Sequence, residues 1–536
     1  MSGVIVRRVR PSEWEELRRV RLAMLADAPD AFHSRLDEEA AEPPAFWRER
    51  ASRAAVDGGV ATFVAVEEGR HVGSATGLRP GPDRPALLVA MWVDPAARGR
   101  GLGLDLVEAV CAWAERRGAS SVELDVREQN EAAARLYRRA GFRVIAGPHP
   151  AAGAPHLNEL RMARRLDRAP DGPVVGRLRT AVAGDDPIAA IEGRSASDQR
   201  SLMIHLARSH AVRRRPGDLL ADRLRTDVYQ PAPVDARLLH VVEGAAFDAA
   251  GGFQLVTLPP VAPAATNAVL GGLDQNLSLA TVRGGEVLAD PTSSLAMEVA
   301  LRRREGEARP ALAATARVLR MQEPPPGWRR HFGLFALASG GRAEPQDGFA
   351  VRALRAHLAV HLDLLGRLGD AGRSVGQVTV ELSDNAGLAA RCRKAGVDVL
   401  DLAAEWRSGD REPEAILADA GVELQRFAES APAGWERLER MAEQVLDPLA
   451  DRFPGARLGF RPGRLHAVGY YRGLSLNVDA ELGGQVYSVA DGGTVDWTQR
   501  LLSDRRERLL ISGIGTERVA RLLGAGPDAT APATDS

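Results

Sequence analysis

The stretch MWVDPAARGRGLGLDLVEAV, beginning at Met91, constrains the fold more tightly than any other part of the chain. An apolar run, ALLVAMWV, ends at Asp-Pro and is followed by Arg98, Gly99, Arg100, Gly101, Leu102 and Gly103. A segment with helical apolar spacing then puts Leu104, Val107, Val110, Cys111 and Trp113 or Ala114 on one stripe and stops at Gly118. This order predicts a strand, a tight turn and a helix. Glycine permits positive φ and close approach of a ligand, so the turn can aim several backbone N–H groups outward. The partial positive charge of the helix start and the two arginines beside it make a pyrophosphate-like anion the natural guest.

The neighbouring segments extend a mixed α/β pattern over residues 1–166. VIVRRV reads as a strand that leads into a helix from about Pro11, and TFVAVEEGRHVGSATGLRP as two strands joined by a glycine turn. SVELDV is a further strand, EAAARLYRRAG a helix ended by Gly141, and FRVI and LNELRMARRL complete the pattern. Residues 167–200 carry proline, glycine and charge without a sustained period, which predicts a linker. A second architecture spans residues 201–525, with helical runs between short strands, and residues 526–536 read as a disordered tail. A chain of 536 residues is too long for one core.

Lys and Arg number 70 against 71 Asp and Glu, a balance that argues against nucleic acid as an obligatory partner. Lys394 is the only lysine, and the arginine richness reads as codon composition. Cys111 and Cys392 are the only cysteines and fall in different predicted domains, which speaks against a disulfide framework or a cysteine-ligated metal. His205, His210, His240 and His466 are scattered without metal-ligand spacing, so no metal is expected. The N-terminal residues carry charge where a signal peptide needs an apolar core, and no apolar run approaches a membrane span. A cytoplasmic protein with no membrane partner is the expectation.

Arg98-x-x-Gly101-x-Gly103 after its strand, followed by LDVREQNEAAARLYRRAGF, resembles the GNAT family of acyl-CoA-dependent N-acyltransferases. The resemblance implies an acetyl-CoA site in which residues 98–103 hold the pyrophosphate and the backbone of Met91, Trp92 and Val93 pairs with the pantetheine arm. The Val93 N–H would then polarise the thioester carbonyl. Asn130 and Tyr137 match the N-x-x-A-x-x-L-Y pattern, which implies cofactor contact for Asn130 and protonation of the departing thiolate by Tyr137. Their seven-residue spacing, close to two helical turns, lets both face one cleft. Asp125 sits where members that acetylate protein N-termini carry a glutamate, which implies a base. Glu123 on the same strand face is the alternative, and a solvated strand face would account for both carboxylates. The loop from Asp27 to Trp47 is expected to line the pocket of a small-molecule or peptide amine, without selecting one amine class.

The second half resembles the catalytic core of histidyl-tRNA synthetase, a class II fold built on an antiparallel sheet with helices, and the related regulatory subunit of ATP phosphoribosyltransferase. GGFQLVTLPP, EVLADPTSSLA, ATARVLRMQ, GYYRGLSLNVDAELGG, DGGTVDW and ISGIGTERV carry this resemblance in order. It implies ATP contact, with magnesium, for Arg320 and Arg518, effector contact for Asp290, Thr292, Tyr470 and Tyr471, and a homodimer. The departures are specific. His331, Leu334 and Ala338 stand near polar positions of motif 2, Leu288 near the substrate-loop arginine, Thr494 and Val495 for Arg and Tyr, and Ala262 near the motif 1 glutamate. The last motif lies close to the end of the sequence, so tRNA charging is not expected.

The leading expectation is therefore an acetyl-CoA-dependent N-acetyltransferase in which an amine attacks directly, joined to a degenerate synthetase-like domain for regulation, substrate binding or dimerisation. The alternatives are a bifunctional enzyme whose second half adenylates an amino acid, and an amino-acid-sensing subunit of a phosphoribosyltransferase.

Overall fold

In a computed structural model of the protein, the described residues are 4–524 apart from 33, 57–58, 80, 82–83, 152–153, 167–177, 179–186, 273–274, 408, 410 and 467. The chain divides into two units. Met1–Ile191 together with Ala389–Leu424 form the first, and Glu192–Leu388 with Gln425–Ser536 the second. Most of the expected linker, and the tail, lie outside the described residues. No helix among the described residues is long and apolar enough to cross a membrane.

The first unit is built on seven strands, β1 (Ile5–Arg8), β2 (Val60–Glu67), β3 (Arg70–Leu78), β4 (Ala86–Val93), β5 (Ser121–Arg127), β6 (Arg143–Ala151) and β7 (Ala154–Arg165). Their order across the sheet is β1-β2-β3-β4-β5-β7-β6, antiparallel except for β4 beside β5. The helices are α1 (Trp14–Asp27), α2 (Leu36–Ala40), α3 (Pro44–Val56), α4 (Leu102–Arg116) and α5 (Glu131–Arg139). α4 seals one face of the sheet: Leu106, Val107, Val110 and Trp113 are buried in one cluster with Ala61, Phe63, Ala75 and Leu88. Each such aliphatic side chain contributes about 1.5–3 kcal/mol on burial. Close approach of this helix requires Gly77, because a Cβ there would meet the Trp113 ring at 2.6 Å. Leu104, placed on the predicted stripe, packs against the cluster while remaining only partly buried.

The segment Ala389–Leu424, far along the chain, completes this unit, so Cys392 shares a unit with Cys111 instead of lying in a different one, and both thiols are free. Its helix Val399–Arg407 brings Asp401 to 3.1 Å from both Arg8 and Arg116. Glu405 of the same helix lies 3.1 Å from Arg10, and Asp398 lies 2.9 Å from Arg117. Arg8, Asp401 and Glu405 are all buried, and the Arg8 guanidinium also donates to the carbonyls of Ala54 and Val60. These charges are therefore both paired and hydrogen-bonded, the condition under which burial is tolerated.

The second unit is built on β8 (Gln254–Leu255), β11 (Ala311–Leu319), β12 (His331–Arg342), β13 (Val375–Asp384), β14 (Ala456–Phe460), β15 (Leu474–Leu482), β16 (Gln485–Val495) and β17 (Glu507–Ile514), with the short pair β9 (Val261–Pro263) and β10 (Gly285–Val287) apart. The main sheet runs β14-β13-β15-β16-β17-β12-β11-β8, antiparallel through its six central strands and parallel only at its two edge pairings. This is the expected antiparallel sheet with helices. The helix Pro291–Arg304 packs Leu295, Ala296 and Val299 on Leu312, Ala336, Ala338 and Ile511. The helix Gly348–Asp370 faces the other side, since its histidines reach Ser339 and Ser512, the alternate positions of β12 and β17. His357 bonds Ser339 at 3.0 Å and Ser512 at 2.8 Å, and His361 bonds Ser512 at 2.9 Å.

Candidate active site

Strands β4 and β5 pair only at Ala86–Val122 and Leu87–Glu123 and then part. Beyond that point the edge of β4 facing β5 has no strand partner. On its other edge β4 stays paired with β3 through Val93, with a register shift around Ala90, whose φ is +51°. A cavity of about 990 Å³ opens between the parted strands. Its walls come from Leu87–Val93, the turn 97–104, β5 from Glu123 to Arg127, the inner side of α5, and the end of α1 with the loop that follows it.

The turn is shaped as its sequence predicts. Gly99 and Gly101 have φ of +81° and +88°, and Gly101 caps α4 from the left-handed region. A Cβ at either glycine would meet nothing within 4 Å, so backbone conformation is the constraint there, not space. The N–H groups of the first helical turn, at Leu102 and Gly103, have no intrahelical acceptor and open into the cavity wall. Gly103 also lies under Met91 and Leu136, at 3.0 and 3.1 Å from a built Cβ. Together, an unpaired strand edge, a helix start and an open volume fit a long phosphorylated thioester such as acetyl-CoA.

The two arginines of the turn differ in their surroundings. Arg98 donates from Nε to the Val93 carbonyl at 3.0 Å and forms an ion pair with Asp27, at the end of α1. Asp27 also accepts from the Trp92 indole at 2.9 Å. That hydrogen bond, and next to it the Arg98 charge, holds the Asp27 carboxyl below the usual carboxylate range. Arg100 pairs with Glu67 at 2.7 Å and is not among the cavity-lining residues. Trp92 is itself buried against Val20 and Met24.

Asn130 caps α5, its Oδ1 accepting from the Ala133 N–H at 3.1 Å, and it lines the cavity. Tyr137, two turns further on, is buried with its ring 5.9 Å from Phe142 and lines the same cavity. Its hydroxyl has no hydrogen-bond partner among the described residues, and burial pushes its pKa up. It therefore keeps its proton throughout the neutral range.

The carboxylates of β5 lie on one face with Arg127. Asp125 takes two hydrogen bonds of 2.9 Å from Arg161, opposite it on β7, and that pairing raises the Arg161 pKa. Glu123 lines the cavity with no ion pair or hydrogen bond among the described residues. Asp125, His149 and Glu159 bring ligand-type atoms within 4.8 Å of one another. Arg161 already occupies Asp125, and Arg127 lies 3.1 Å from Glu159. Sequence spacing alone gave no sign of this grouping, nor of the pairing of Asp27 with Trp92 and Arg98, because both depend on how distant strands and helices meet.

In the second unit the structure gathers most of the expected effector residues. Asp290 caps the helix Pro291–Arg304 and accepts from the Thr292 N–H and hydroxyl at 2.8 and 2.7 Å. Arg320 lies 3.5 Å from Asp290. Tyr470 packs edge-on against Tyr471 at 4.9 Å and Trp497 at 5.9 Å, and Tyr471 donates to Asp491 at 3.1 Å. Burial first, and then neighbouring acidic groups, push both tyrosines up. Arg518 stands over the Tyr487 ring at 6.0 Å, whereas Arg320 stands over Phe332 at 5.5 Å. No contact joins the two arginines among the described residues.

A model of the acetyltransferase (GNAT) family matches residues 22–142. An uncharacterized N-acetyltransferase of Mycobacterium tuberculosis is 35% identical over 106 residues, which is 20% of this chain and 67% of that protein. Among solved structures, an acetyltransferase of the GNAT family from Streptococcus pneumoniae aligns with a TM-score of 0.27 at 19% identity, over 30% of this chain and 99% of its own. A histidine-tRNA ligase subunit from Alicyclobacillus acidocaldarius aligns with a TM-score of 0.41 at 16% identity, over 55% of this chain and 95% of its own.

Proposed function

Because the chain belongs to the acetyltransferase (GNAT) family and is an acetyl-CoA-dependent N-acyltransferase, we propose that its first unit transfers an acetyl group to an amine by direct attack. The cavity between β4 and β5 carries this reading. It joins the glycine turn, the unpaired edge of β4 and the Tyr137 side chain in one continuous space. When bound, acetyl-CoA supplies the activated acyl thioester. The N–H groups at the start of α4, with Gly99, Gly101 and Arg98, would hold its phosphates, and Asn130 and the backbone of Met91–Val93 would hold its arm.

For the proton transfers we assign Glu123 as the group that takes a proton from the acceptor ammonium, which frees the lone pair for attack on the acyl carbon. The support is that Glu123 faces the cavity unpaired, whereas both oxygens of Asp125 are committed to Arg161. Asp125 then positions the strand face. As the carbon–sulfur bond breaks, Tyr137 gives its proton to the departing sulfur. Its raised pKa keeps that proton available. The Val93 N–H stabilises negative charge on the acyl oxygen.

For the second unit we favour effector or substrate binding at Asp290, Thr292, Arg320, Tyr470 and Tyr471, because Thr292 bonds Asp290, Arg320 lies beside Asp290, and Tyr470, packed on Tyr471, interacts with all three. Adenylation would need Arg320 and Arg518 to act on one triphosphate with magnesium. A homodimer through this unit is the accompanying proposal, checked by sedimentation. A cytoplasmic location agrees with two buried free thiols, each pushed up to about 12 by burial.

The full chain incubated with acetyl-CoA and a panel of primary amines tests the first reading: thiol release that depends on an amine supports it. Calorimetric titration with acetyl-CoA that gives no heat would sink it. ATP–pyrophosphate exchange stimulated by an amino acid would replace the effector reading with adenylation.

A further inference from the structure

Besides the β5 wall, the cavity is bounded by α1, the loop after it and α3, which contribute Arg21, Phe32, Ser34 and Arg50. Arg21 is fully engaged. Its Nε and Nη2 donate to Glu39 at 3.0 and 2.7 Å, Nη2 also to Ser34 at 3.0 Å, and Nη1 contacts the Met24 sulfur at 3.2 Å. Arg50 reaches the same carboxylate, Glu39, by one bond of 3.2 Å from Nη1. Two guanidiniums thus share a single carboxylate, which leaves one positive charge in excess on this wall. The Nε and Nη2 of Arg50 have no partner among the described residues, and its guanidinium stands over the rings of Trp47 at 5.5 Å and Phe46 at 6.0 Å. Burial, and after it repulsion from Arg21, lowers the Arg50 pKa despite Glu39.

The remaining charges on the cavity wall are mostly spoken for. Arg98 pairs with Asp27, Arg161 with Asp125, and Arg127 with Glu159, while Arg139 is exposed on α5. Among the described cavity-lining residues that are at least partly buried, what is left are one guanidinium with free donors and one carboxylate with free acceptors, Arg50 and Glu123; Arg139, also without an ion pair, is solvated. A partly buried cation with unused N–H groups gains most from an oxyanion, since charge-assisted bonds are about twice as strong as neutral ones. A carboxylate without a partner gains most from an ammonium.

We propose that the acceptor is an amine that also carries an anionic oxygen group, a carboxylate or a phosphate, with the anion seated on Arg50 and the amine directed to Glu123. Arg50 is then the specificity-determining residue of the acceptor site. This rests on the acyltransferase reading above. Phe32, which lines the cavity, supplies apolar surface for the carbon skeleton between the two charges.

The test uses the full chain, acetyl-CoA and pairs of primary amines matched in size: amino acids beside their amides, and amino alcohols beside their phosphate esters. The anionic member of at least one kind of pair is expected to have a kcat/KM at least about tenfold above its neutral partner, the gain of one well-placed charge-assisted bond. The kind of pair that shows the preference distinguishes carboxylate from phosphate. Arg50→Gln is expected to bring that ratio close to one, while Arg50→Lys retains most of it; melting temperatures of both variants check that they fold. A ratio of one or less in the wild type, or a ratio that survives Arg50→Gln, overturns the proposal. So does the absence of acetylation in every pair, and heat on titration with acetyl-CoA then shows that the acyltransferase reading outlives it.

Discussion

Asp27, the last residue of α1, accepts a 2.9 Å hydrogen bond from the indole of Trp92, sixty-five positions later on β4, and pairs with Arg98 of the glycine turn. One carboxylate therefore fastens the helix, the strand and the turn that border the cavity. Asp27→Ala is expected to leave the Trp92 N–H without its partner and to release Arg98. A stability loss of about 1–3 kcal/mol follows from the orphaned donor, together with a several-fold weaker acetyl-CoA affinity. Denaturant melts and calorimetry check both, and unchanged affinity would mean that Arg98 is held independently of Asp27.

Tyr137→Phe removes only the hydroxyl, because the ring remains packed beside Phe142. Loss of a proton donor should lower kcat by about 10²-fold or more with little effect on acetyl-CoA binding. Since burial raises the tyrosine pKa above its ordinary value, the wild-type kcat should show no loss attributable to Tyr137 ionisation below about pH 10. A variant with wild-type turnover removes Tyr137 from the reaction.

Glu123 and Asp125 separate by substitution. Glu123→Gln should lower kcat by about 10²-fold or more, whereas Asp125→Asn, which breaks the Arg161 pair, should act mainly on acceptor KM. Steady-state kinetics with a verified amine distinguishes them, and the opposite pattern returns the base to Asp125.

Arg8→Ala leaves Asp401 buried beside only Arg116, with two backbone carbonyls also losing their donor. Breaking a buried pair from one side costs about 3–5 kcal/mol. A urea melt should place the loss in the acetyltransferase unit. Arg8→Ala combined with Asp401→Asn should recover part of it.

His357 and His361 are neutral inside the second unit, with burial holding His357 well below its ordinary value and His361 at about 4. In the unfolded chain both bind protons below about pH 6.5. Stability should therefore be independent of these groups above that pH. It should fall as the pH drops from about 6.5 toward 4, by roughly 1.4 kcal/mol per pH unit for each histidine. Denaturant melts at pH 7.5 and 5 on the wild type and a His357→Gln, His361→Gln double variant measure the difference. Equal pH slopes would show that the buried imidazoles do not set it.

The glycine-turn end of the cavity was legible because its structure is local: a strand, a turn that needs positive φ at Gly99 and Gly101, and a helix with a regular apolar stripe. The alternating strands of the first unit were legible for the same reason. The pairings of Asp27, Glu39 and Arg50 were not, since these residues sit on three separate helices, two of them in or beside a stretch read as a loop, and their partners lie on other elements. The role of Asp125 was obscured similarly, because only the register of β5 against β7 reveals that Arg161 occupies it. Nor did composition mark Ala389–Leu424 as belonging with the first unit. Its strand-turn-helix pattern continues smoothly from β13, and the charges that dock it on β1 look like ordinary solvated residues in a chain this rich in arginine.

That docked segment has a consequence for synthesis. A ribosome finishes the first seven strands of the chain more than two hundred residues before it reaches Leu424. At about 5–20 residues per second, Arg8, Arg10 and Arg116 wait on the order of ten to fifty seconds for the carboxylates of Val399–Arg407. During that interval the acetyltransferase domain carries an uncovered strip of positive charge. Its final form is set only after most of the second unit has also been translated, so the two halves mature as one translational event.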